Sequence, residues 1–165
     1  MKFALPCNYP LVERGTWPQS KIDALLNQIK SRKPFDGSVE KMFPVAMASC
    51  TLIARSRGMK SINLALVYEY FLLKHDEAVI KRYLEVKDFD PITCLTRVGV
   101  VKSVKDGKAI VANSNGLKSY RTDYAPGLRV GDEAITHWDF VVEKVDESNR
   151  SWVLKAKELR IPEVD

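Results

Sequence analysis

The chain has 165 residues, 45% of them hydrophobic and 28% charged, enough for one good core or two small ones. No apolar run approaches the roughly 18 residues of a membrane span, and Met1–Pro6 lacks the long apolar segment of a signal peptide, so a cytoplasmic protein is expected. The net charge of +5 divides as +4 over residues 1–90 and +1 over residues 91–165, whereas a nucleic-acid binder concentrates its basic residues on the module that meets phosphate.

Met1 to Gly15 contains Pro6 and Pro10 and no sustained period, and reads as an irregular arm. Thr16-Trp17-Pro18 looks like a helix start, with a capping hydroxyl and a proline that loses nothing in the first turn. Ile22, Leu25, Leu26 and Ile29 then follow the i, i+3, i+4, i+7 stripe up to a stop at Pro34. A second helix is expected from about Ser38 to Arg57, burying Val39, Met42, Phe43, Ala46, Met47, Cys50 and Ile53, with Pro44 shifting its start or kinking it. Gly58 supplies its stop.

A third helix is expected from about Ser61 to Lys74, with Ile62, Ala65, Leu66, Phe71 and Leu72 on its buried face. Asp76 would cap a fourth, Glu77 to about Val86, burying Val79, Ile80, Tyr83 and Leu84. His75, beside that cap, reads as a solvated helix-end residue. Lys87-Asp88-Phe89-Asp90-Pro91 is the expected boundary between a helical domain, 1–90, and a second domain, 91–165.

Beyond Pro91 the period becomes alternating. Ile92 to Val104 reads as one long or bent strand, Asp106-Gly107 reverses it, and Ala109 to Ala112 returns. Asn113-Ser114-Asn115-Gly116 makes a second turn and Leu117 to Thr122 a third strand. Glu133 to Thr136 and Phe140 to Val145 flank His137-Trp138-Asp139. The tail from Ser148 fits strand or helix. The fold class is therefore α+β, a bundle of about four short helices followed by a small OB-like or SH3-like barrel.

No P-loop, GxSxG or HExxH occurs, and only two histidines exist, so an enzyme in its own right is not expected. Cys7, Cys50 and Cys94 are widely spaced with no CxxC pair, which argues against a disulfide framework and a zinc knuckle. Two readings of Cys94 stay open: a soft metal-ligand thiol, or a small buried hydrophobe on the first strand. His137 likewise reads as a ligand or as a hydrogen-bonded turn residue. Cys50 lies on an apolar stripe and reads as core, and Cys7 is unclassified.

Cys94, Leu95 and Gly99, followed by Val130, Gly131, Asp132, His137, Phe140, Glu143 and Asp146, resemble the HypC/HybG family of nickel–iron hydrogenase maturation chaperones. Those chains open Met-Cys-x-x-x-Pro-Gly and later carry Val-Gly-Asp and a His ahead of an acidic segment. The resemblance covers about the last 70 residues and implies a HypC-like barrel. It further implies that Cys94 holds a transient iron group carrying cyanide and carbonyl, with His137 its companion, and no intrinsic cofactor. The implied partner is a HypD-like maturation protein or a hydrogenase large-subunit precursor, met through Leu95, Thr96, Arg97, Trp138 and Phe140. The alternatives are a protein-interaction module that keeps the barrel without the metal chemistry, and a nucleic-acid-binding barrel using Lys118, Tyr120 and Arg121.

Overall fold

The computed structural model describes residues 2–31, 39–86 and 90–159, and in them helices wrap one side of a closed five-stranded barrel. The expected stop at Pro34, the start at Ser38, the burial of Val39 and the stretch Lys87–Phe89 lie outside the described residues. The first segment is no loose arm: Phe3, Ala4 and Leu5 are buried, and a 3-10 turn, Leu5–Asn8, leads into α1, Tyr9–Glu13. Pro6 and Pro10 each occupy a first-turn position, where a missing N–H costs nothing, so prolines that looked like breakers are starters.

α2, Gln19–Ser31, buries Ile22, Leu25 and Leu26 as the stripe requires. The expected second helix is two: α3, Val39–Met42, and α4, Pro44–Ser56, with Pro44 at the start of α4 and Phe43 buried between them. α5, Leu64–Glu69, starts three residues later than expected, because the Asn63 side chain accepts the Leu66 N–H at 3.0 Å and caps it there.

The expected third and fourth helices run together. α5 passes into a π-helical segment, Tyr70–Lys74, and on into α6, His75–Val86. A π segment carries an extra residue in its turn and shifts the register of everything downstream. That shift explains three departures: Ile80 and Leu84 are exposed, His75 is buried, and Asp76 lies in the first turn of α6 instead of capping a new helix. Ala65, expected on the buried face, is also exposed.

The expected strand from Ile92 begins instead as a short helix, α7, Pro91–Cys94, because Asp90 accepts the Ile92 N–H at 2.9 Å with Pro91 in the first position. β1, Arg97–Lys105, follows. It pairs with β2, Lys108–Asn113, across Asp106 and Gly107, both at positive φ as a tight hairpin demands. β3, Gly116–Arg121, pairs with β2. β4, Glu133–His137, pairs with β1 and with β5, Phe140–Lys144, and an Arg121–Phe140 parallel pair closes the barrel. The tail is a helix, α8, Arg150–Leu159, burying Val153 and Ala156.

Inside the barrel pack Val101, Val111, Tyr120, Ala134 and Val141. The outer face of β4 and β5 is buried too: Ile135, Phe140 and Val142 join Leu5, Ile22, Phe71 and Val153 in the largest apolar cluster. That cluster draws on both sides of Pro91. At its edge Phe3 stacks on Phe71, with ring centroids 5.2 Å apart.

Candidate metal centre

Four segments distant in sequence end at one place. The 3-10 turn supplies Cys7, the junction of the π segment with α6 supplies His75, the last residue of α7 is Cys94, and the last residue of β4 is His137. One ligand atom from each lies within 4.8 Å of the others. Cys7 Sγ is 3.5 Å and Cys94 Sγ 3.8 Å from His137 Nε2. A tetrahedral ion with bonds of about 2.3 Å to sulfur and about 2.05 Å to nitrogen sets its S and N ligands about 3.6 Å apart. Both sulfurs thus stand at that edge length from His137, and the widest pair needs to close by about 1 Å.

The rings are oriented from outside. His137 Nδ1 donates to the Phe3 carbonyl at 2.7 Å, which fixes the tautomer and leaves Nε2 with its lone pair toward the two sulfurs. His75 Nδ1 stands 3.5 Å from Asp76 Oδ1. Asp76 in turn accepts the Thr96 N–H at 3.0 Å and pairs with Arg97, tying α6 to the chain just beyond Cys94. His75 packs edge-on against His137, with centroids 4.8 Å apart.

The electrostatics favour one thiolate. The hydrogen bond from Cys7 drives the Cys94 pKa well below the ordinary thiol value, against burial and with help from His137 and His75. The same interaction, together with burial, drives Cys7 up. Burial lowers His75, but hydrogen bonds to Asp76 and Cys94 outweigh it and the net shift is upward. Burial dominates at His137 and lowers it. A thiolate beside an imidazole held neutral is the protonation state that a soft divalent ion requires.

Cys94 and His137, the two ligands named from sequence, are brought together; both are buried, His137 completely. Of the expected partner contacts, Thr96 and Phe140 are buried, whereas Leu95, Arg97 and Trp138 are partly exposed. Sequence reasoning missed Cys7 and His75. Spacing could not reveal them, since no two of the four lie in one local motif. Scarcity could: both of the chain's histidines and two of its three cysteines converge here, and the third, Cys50, is core.

One side of the cluster opens on a cleft of 480 Å³ lined by Cys7, His75, Cys94 and Trp138 among others. Trp138 takes a positive φ of 54° in the two-residue β4–β5 turn, and its indole N–H is buried beside Cys7. No protein-family model and no curated protein matches the chain.

Proposed function

We propose that Cys7, His75, Cys94 and His137 bind one transition-metal ion or metal group per chain and that the protein is a metal-handling assembly factor. The observation that carries this reading is the convergence of two thiols and two imidazoles from four separate segments, with His137 oriented by the Phe3 carbonyl. An S2N2 set suits zinc or iron. An iron that brings diatomic ligands of its own has fewer positions to offer, so it takes Cys94 and only some of the other donors. The resemblance to HypC-type chaperones adds the cargo, an iron group with cyanide and carbonyl, and the partner, a HypD-like protein or a hydrogenase large-subunit precursor.

The test is metal content after anaerobic purification, followed by cobalt(II) titration of the metal-free protein. Stoichiometric uptake with a thiolate-to-cobalt absorption band is expected. Cys94→Ser should remove most of that band and Cys50→Ser none of it. A spectrum of hydrated cobalt in the unaltered protein overturns the reading. For the partner, co-elution with a HypD-like protein should depend on Cys94 and not on Cys50.

The complete burial of His137 supports a second reading, a structural zinc clamp fastening the segment around Phe3–Asn8 to the barrel. Exchange rate separates the two: a clamp gives up metal only on unfolding, whereas a carrier releases it to a chelator while folded.

A further inference from the structure

The cleft beside the cluster has a pronounced charge pattern. Its walls are apolar, with Leu11, Trp17, Phe43, Phe71 and Val79 among them, while its ionic lining outside the cluster is Arg14, Lys41 and Arg82. No Asp or Glu lines it among the described residues. Lys41 and Arg82 are exposed and make no ion pair among the described residues. The buried indole N–H of Trp138 also lies in the lining, beside Cys7.

Its dimensions follow from α6. His75 and Arg82 both line the cleft and are seven residues apart, two helical turns, so they share a face about 10 Å apart along the axis. A volume of 480 Å³ falls inside the roughly 300–1,000 Å³ of small-molecule sites.

We propose that this cleft binds a small organic anion, a carboxylate with an apolar body roughly 10 Å long, its head held by Arg82 and Lys41 and its far end against the Cys7–His75–Cys94 side of the cluster. The cations answer the carboxylate, and the aromatic walls answer the chain. The position of the far end gives the ligand a means of gating access to the cluster. The proposal goes beyond metal binding and stands on the cleft whether or not a metal is present.

Octanoate is the probe, with octanol as the neutral analogue and acetate as the charge without the chain. Binding is followed by calorimetry and by fluorescence of Trp17 and Trp138, on metal-free and metal-loaded full-length protein. Saturable octanoate binding is expected, with octanol and acetate each weaker. Replacing both cations, Lys41→Ala with Arg82→Ala, should weaken octanoate about tenfold and leave octanol unchanged. Both side chains are exposed, so folding should be unaffected, and circular dichroism checks this. Equal binding of octanol and octanoate, or octanoate binding indifferent to the double substitution, overturns the proposal. Failure here with cobalt uptake intact leaves the metal reading standing; octanoate binding without metal uptake supports the cleft alone.

Discussion

His137 and Phe3, 134 positions apart in sequence, are joined by a hydrogen bond of 2.7 Å from the imidazole Nδ1 to the main-chain carbonyl. The bond couples two things usually treated separately, the anchoring of the first residues and the tautomer of a ligand. Replacing His137 separates them. Asparagine can place its amide N–H near the Nδ1 position but offers nothing at Nε2. His137→Asn should therefore weaken cobalt binding and shift the d–d bands of any cobalt still bound, while keeping stability within about 1 kcal/mol of the unaltered protein. His137→Ala leaves the buried Phe3 carbonyl unpaired and should cost a further 1–3 kcal/mol or so in urea unfolding. Identical stability of the two variants would mean that the bond contributes nothing.

Gly99, part of the resemblance that pointed to the barrel, has a physical duty of its own. A Cβ there would stand 2.7 Å from Val111 Cγ1 and 2.9 Å from Asn113 Cβ, and in collision with the Ala112 carbonyl oxygen. Backbone in a paired strand cannot yield as a side-chain tip can. Gly99→Ala should destabilise the protein by about 1–3 kcal/mol in denaturant melts. A neutral effect would show that β1 and β2 can separate locally.

The outer face of β4 and β5 carries Ile135, Phe140 and Val142, covered by residues from before Pro91. A fragment starting at Asp90 uncovers that face, along with His137. It should bind a hydrophobic dye and unfold with a shallow, poorly cooperative transition. A sharp transition for the fragment would mean that the barrel interior, Val101, Val111, Tyr120 and Val141, is a sufficient core.

What was legible in the chain were local signals. Asp106-Gly107 marked a hairpin, and the alternation on either side of it marked five strands, because turn chemistry and period act over a few residues. Cys94 and His137 were singled out by the resemblance, and the fold places them side by side. His75 was not, because a π segment has no reliable local signature and yet decides which face every later residue of α6 presents. Cys7 was hidden by Pro6 and Pro10, which read as breakers until each is seen in a first turn. Convergence of separate segments is a property of tertiary packing, which periodicity does not carry.

Asp132 offers a test of the electrostatics away from the cluster. Lys144 donates to its carboxylate at 2.7 Å and the Arg129 N–H at 2.8 Å, which together hold its pKa below the ordinary carboxylate value. The folded state therefore favours the charged form, and this stabilisation is full above the unfolded value of about 3.9. It is lost as the pH falls through the lower folded value. Asp132→Asn should be less stable at neutral pH by under about 1 kcal/mol, since the pair sits at the surface. The difference should shrink as pH falls below 4 or so. A gap that stays constant into strong acid would assign the loss to shape instead of charge.

The last prediction concerns thiol reactivity, where exposure alone gives the wrong guide. Cys94 and Cys50 are both nearly inaccessible, at 7% and 3%. Their ionisation differs: Cys94 is held as thiolate by the Cys7 hydrogen bond and the two imidazoles, while burial raises Cys50. Cys94 also borders the cleft, and Cys50 does not. The attacking species in alkylation is the thiolate, so reactivity follows thiolate fraction multiplied by access. In metal-free protein at neutral pH, iodoacetamide should label Cys94 first, with Cys7 and Cys50 slower, read by mass spectrometry of the peptides. Labelling of Cys94 should persist at mildly acidic pH, where an ordinary thiol falls silent. Loading with zinc should then protect Cys94 and Cys7 together and leave Cys50 unchanged, because coordination draws electron density from the bound sulfurs and lowers their nucleophilicity. Cys50 reacting as fast as Cys94, or zinc leaving Cys94 as reactive as before, would remove the thiolate from the centre and with it the chemical basis for a metal there.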